Sequence, residues 1–109
     1  MPDKLLILLG SARRDIRAFP ALARRLAGFQ LRRVQHGLDP DDWKPMPTVG
    51  PGVREIRIHV AGAHRVSYVA TRAQAIYVLH AFEKKTQKTA PRDLAIGRDR
   101  FRALGKVRQ

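Results

Sequence analysis

The stretch from Val53 to Phe82 constrains the chain more than any other. "VREIRIHV", "HRVSYVA" and "AIYVLHAF" are three β-prone runs separated only by the turns "AGA" and "TRAQ". Connections that short return each strand antiparallel to the one before it, because a parallel neighbour needs a longer crossover. In the first run Ile56, Ile58 and Val60 share one face while Glu55, Arg57 and His59 share the other, the period of a sheet with one covered face. The third run, Ala75 to Phe82, is the most apolar and is expected to be the central strand.

Helices and one more strand are expected around this meander. Leu5 to Leu9 is an apolar run between Lys4 and Gly10, read as a short strand buried on both faces, although a helix fragment fits the same length. Gly10 and Ser11 break it, and Ser11 is placed to cap a helical turn running to Phe19. Pro20 suits the first turn of a second helix, where its missing N–H has no intrahelical partner. Leu22, Leu26, Phe29 and Val34 form that helix's expected core stripe, with Arg24, Arg25, Arg32 and Arg33 mostly off it, over about 18 residues ended by Gly37. From Leu38 to Gly52 the density of proline blocks both helix and central strand, leaving a structured loop pinned by Trp43. Near the end, Thr89 as N-cap and Pro91 in the first turn open a helix marked by Leu94, Phe101 and Leu104, with Gly97 weakening its interior. The order gives a single α+β domain over residues 1–109, with a small, mainly antiparallel sheet, N-terminal helices and a C-terminal helix.

Charge narrows the partners. The 109 residues carry 22 Lys and Arg against 9 Asp and Glu, a net +13 that asks for a polyanion, most simply nucleic acid, or else an acidic protein. Residues 1–52 are net +4 and residues 53–109 net +9, so the binding face is expected from the second half. Without cysteine, and with four histidines scattered at spacings unlike a ligand set, neither a metal nor a small-molecule cofactor is expected. "LLILLG" is too short for a signal-peptide core or a membrane span, which leaves a soluble, cytoplasmic protein with no membrane partner as the expectation.

"GPGVREIRI", "HRVSYVA" and "IYVLHAFEKKTQKTAPRD" resemble, in order and spacing, the RelE/HigB-like toxins, and in particular the phage-derived HigB-type subgroup. "RRLAGFQLRRVQHGLDPDDWKPM" is similar to the same subgroup's helix and its approach to the first hairpin strand, so the likeness covers roughly residues 22–102. The resemblance implies a RelE-like microbial RNase fold and the toxin of a type II toxin–antitoxin pair. Such an mRNA interferase is an endoribonuclease that cuts translated mRNA in the ribosomal A site and is neutralised by a helix-turn-helix antitoxin.

Metal-free RNA cleavage needs help in removing the 2′-OH proton, cations for the phosphorane, and a donor for the leaving 5′-oxygen. By resemblance Arg57 orients the phosphate, Arg65 contacts it, and Lys84 protonates the leaving group. Read from the residues alone, Arg57 is as well explained as a solvated sheet arginine paired with Glu55. His80 shares strand parity with Phe82 and Lys84, and its ordinary pKa suits acid–base work, against the plainer reading of a structural histidine. Lys85 falls on the opposite side, as a backbone contact or a solubiliser; Lys88, Arg92 and Arg54 complete the expected RNA-binding set. Glu55 stands where some RelE toxins are basic, His64 stands where a tyrosine is common, and Tyr68 has the parity of a core residue. The competing readings are a non-catalytic RNA- or rRNA-binding protein on the same basic face and, with less support, a DNA-binding protein, for which no helix-turn-helix pair is evident.

Overall fold

A computed structural model describes residues 3–106; the ends of the expected domain, residues 1–2 and 107–109, lie outside them. The period-two runs form β3 (Val53–Ile58), β4 (His64–Val69) and β5 (Ala75–Glu83), each antiparallel to the next. They are joined by β1 (Leu5–Leu8), parallel to β5, and by β2 (Trp43–Pro45), antiparallel to β3, in the order β1-β5-β4-β3-β2. The expected α+β class, with a mostly antiparallel sheet, N-terminal helices and a C-terminal helix, is what the chain adopts. The central strand is β4, every residue of which is buried, and β5 lies beside it. β1 is an edge strand rather than one enclosed on both faces, and Leu5 is 64% exposed.

Two helices, α1 (Ala12–Arg17) and α2 (Ala21–Gln35), cover one face of the sheet. Ser11 does not cap the α1 backbone with its hydroxyl, which donates instead to Asp15 at 2.7 Å. In α2 the buried stripe is Ala23, Ala27, Gln30, Leu31 and Val34, whereas Leu22 and Phe29, expected in the core, are 52% and 55% exposed. Alanines at the contact let the helix backbone approach the sheet closely, and that approach selects the face. Gly37, at φ +85°, supplies the left-handed residue after the helix end.

The third helix, α3 (Pro91–Lys106), covers only part of the opposite face. Its Leu94, Phe101 and Leu104 pack with Val53, Val69, Leu79, Met46 and Val49. The carbonyl of Ala90, one residue later than expected, accepts the Leu94 N–H and opens the helix ahead of Pro91. The proline-rich segment is fastened at two places, by Trp43, which pairs with Ile56 and stacks with Arg54, and by α3. Arg98 Nε donates to the Thr48 carbonyl at 2.9 Å, and a Cβ on Gly50 would lie 2.5 Å from the Phe101 ring. Gly97 is therefore a packing position, its Cα facing Val49. Within the same segment β2 forms despite its proline, because Pro45 sits on an edge strand.

Candidate functional site

The sheet face opposite α1 and α2 collects the ionisable side chains. The pairing registers place Lys44, Glu55, Ser67 and His80 in one row across β2, β3, β4 and β5. Arg57, Arg65 and Phe82 form the next row. Beyond β5 the Lys84 N–H still donates to the Ala63 carbonyl at 2.7 Å, so Lys84 keeps the strand parity of His80 and Phe82.

Glu55 lies at the centre of this group and is 1% exposed. Its carboxylate stands 3.4 Å from Arg65 Nε, and its Oε1 has no hydrogen-bond partner. Burial pushes the Glu55 carboxyl above its ordinary pKa, while the charges of Lys44, Arg65, Lys84 and Arg57 work against that rise. Lys84 is driven the other way: burial first, then the repulsion of Arg65 and Lys44, lower its pKa, with Glu55 opposing. A cationic patch has thus been built around one enclosed carboxylate.

Arg65 is itself enclosed, 6% exposed, with Nη1 donating to the His64 carbonyl at 3.1 Å. Arg57 does not pair with Glu55. Its Nε donates to Asp42 at 2.9 Å, and the other oxygen of Asp42 lies 2.8 Å from His59 Nε2. Burial raises the Asp42 pKa, but the hydrogen bonds from His59 and Arg57 outweigh it and hold the carboxyl below its ordinary value. The role of Asp42 was not readable from the sequence, since only the β2–β3 pairing brings it to Arg57.

His80 owes its direction to a β-bulge. Ser67 pairs with His80 and Tyr68 with Val78, so Leu79 is an extra residue in β5. Leu79 packs beneath α3, and its carbonyl is taken by Arg100 Nη1 at 2.8 Å. His80 then points at the first turn of α3, where Nε2 meets Asp93 at 2.8 Å and the ring stacks on Phe82. Its Nδ1 is buried without a partner. A groove of about 490 Å³ runs beside it between α1 and the start of α3, lined by Arg14, Phe19, Phe82 and Arg92 among others.

The remaining expected site residues separate. Lys85 and Lys88 are exposed along the connection from β5 into α3, and Arg92 is exposed in the first turn of α3. Arg54 stands on the other sheet face, stacked 3.9 Å from the Trp43 ring centroid and bonded to Asp39 at 2.8 Å. It lines a larger cavity of about 590 Å³ with Tyr68 and the end of α2, away from the Glu55 cluster. His64 is likewise on the helix side, buried with its ring 4.5 Å from that of Phe19, so it offers no stacking surface beside Arg57 and Arg65. Among the described residues no group of three or more metal-ligating side chains comes together, and no helix is long and apolar enough to cross a membrane.

Comparison with known proteins adds one finding of kind. The family model described as "Phage derived protein Gp49-like" matches residues 14–102, which is most of the chain. No curated protein matches. The chain belongs to the Gp49-like family, which is associated with toxin–antitoxin modules.

Proposed function

From membership of the Gp49-like family and the cluster around Glu55, we propose that this chain is the toxin of a toxin–antitoxin pair, a RelE/HigB-type endoribonuclease that cuts translated mRNA in the ribosomal A site. The observation that carries the reading is the convergence of Lys44, Arg57, Arg65 and Lys84 on one enclosed carboxylate, on the sheet face that α3 leaves partly uncovered. A solvated basic surface needs no such arrangement; a site that stabilises a phosphorane and moves protons does.

In this mechanism Lys44 swings onto the phosphodiester and uncovers Glu55, while Arg57, held by Asp42 through Nε and Nη2, meets the phosphate from a fixed position. The 2′-oxygen attacks phosphorus, its proton passes to the Glu55 carboxylate, and the P–O5′ bond breaks as Lys84 gives a proton to the departing oxygen. The products are a 2′,3′-cyclic phosphate and a free 5′-OH. Arg65 lies too deep for a broad contact and keeps the field positive where charge accumulates. His80, held by Asp93, orients α3 and the Phe82 ring. Lys85, Lys88 and Arg92 track the RNA backbone, whereas Arg54 belongs to the other face.

Induced expression is expected to arrest growth, with primer extension mapping cuts inside translated codons. Lys84→Ala and Glu55→Gln should each slow cleavage by about 10²-fold or more, the usual loss when a proton-transfer group is removed. Should both variants, folded, still arrest growth and still cut message, the site assignment is wrong. Arrest by ribosome binding without cuts would mean a non-catalytic RNA-binding protein.

A further inference from the structure

We propose that the outer face of α2 is a docking surface for an acidic amphipathic helix of a partner protein. The helix has two apolar sides. Ala23, Ala27, Leu31 and Val34 are spent on the sheet, while Leu22 and Phe29 stand exposed with half-buried Leu26 between them. These two are half of the large apolar side chains exposed among the described residues, which are Leu5, Leu22, Phe29 and Leu38. They lie one heptad apart, roughly 10 Å along the helix axis.

Exposed arginines fill the half-heptad positions. Arg25 follows Leu22 by three residues and Arg32 follows Phe29 by three, so one face reads Leu, Arg, Phe, Arg. The segment "ALARRLAGFQLRRVQ" holds four arginines and no acidic residue. Arg25 has no carboxylate partner among the described residues, and the nearest acidic help comes from outside the helix, Asp3 at 3.0 Å from Arg32 and Asp41 at 3.6 Å from Arg33. Cations framing apolar knobs at heptad spacing match a helix carrying apolar residues at one heptad position and carboxylates at the other. RNA would engage the arginines but leave Leu22 without a complementary surface. Because α2 packs on the sheet face opposite Glu55, the partner helix and RNA occupy separate surfaces.

The partner's identity as antitoxin rests on the toxin reading above; the surface does not. The test uses the full chain and a fluorescein-labelled helical peptide of about 21 residues, long enough to hold a helix, with Leu and Glu at alternating half-heptad positions. Binding near 10 µM, on the order expected for a single helix on a shallow face, should weaken at least tenfold in Leu22→Ser/Phe29→Ser and in Arg25→Glu. It should be unchanged in Lys85→Glu/Lys88→Glu and undisturbed by a short single-stranded RNA. Absence of binding, equal loss in the Lys85→Glu/Lys88→Glu variant, or displacement by the RNA overturns the proposal. Peptide binding that depends on Leu22 and Phe29 in a protein that cuts no message would leave the surface standing and remove only the endoribonuclease reading.

Discussion

Lys84 works among like charges, and the sign of its response to their removal can be stated. Arg65, Lys44 and Arg57 all favour its neutral amine, whereas Glu55 favours the ammonium. If Lys84 is the acid, cleavage falls as pH rises through its lowered pKa. Lys44→Met removes one repelling charge, so the alkaline limb of the pH–rate profile should move to higher pH; a shift to lower pH, or none, would contradict Lys84 as the proton donor. Asp42 offers a second handle. Asp42→Asn releases the charge that holds Arg57 and His59, and cleavage should drop several-fold through misplacement of Arg57 while thermal stability falls only slightly, since each of the three side chains keeps about a third or more of its surface in solvent. Strand parity made the shared side of His80, Phe82 and Lys84 legible in the sequence, but not its coincidence with the face of Arg57 and Arg65, which depends on the bulge at Leu79. The burial of Glu55 was not legible either, because alternation alone assigns it to solvent and the side chains that enclose it come from β2, β4 and the end of β5.

At the scale of elements, the bulge at Leu79 and the tight contacts of α3 determine which face each part of β5 serves. Arg100 bonds the Leu79 carbonyl and also reaches Ser11 Oγ at 3.1 Å, tying the end of β1 to the bulge. Gly10, at φ +51°, leaves room for it, since a Cβ there would lie 2.7 Å from the guanidinium. Arg100→Met should therefore cost about 1–3 kcal/mol, the effect of leaving a buried carbonyl unpaired, read as a loss of several degrees in Tm. Gly50→Ala drives a methyl into the Phe101 ring and should cost a similar amount, about 1–3 kcal/mol, by overpacking. The meander was readable because its period is two and its turns are short. The face of α2 was misread because large apolar side chains outweigh alanine in any hydrophobic pattern, although it is Ala23 and Ala27 that let the helix seat on the sheet. β2 was missed because three residues ending in Pro45 carry no strand period of their own.

Across the whole molecule, charge and topology act separately. With a net +13, affinity for single-stranded RNA should fall steeply with salt, at a slope of roughly 0.7 log units per phosphate neutralised. The triple variant Lys85→Ala/Lys88→Ala/Arg92→Ala should flatten that slope by about 2 units, measured by fluorescence titration across salt concentrations, without removing cleavage at saturating RNA. An unchanged slope would take these three side chains off the RNA path. Composition gives only the net charge; it is the fold that separates α2's cations from those around Glu55. The parallel pairing of Leu5–Leu8 with Ala75–Val78 has a further consequence, one of time. β1 has no place in the sheet until β5, made well after it, has left the ribosome, so during synthesis Leu5–Leu8 wait unpaired while the strands between them are made. A message truncated before Ala75 leaves β1 and β4 without the strand that stands between them.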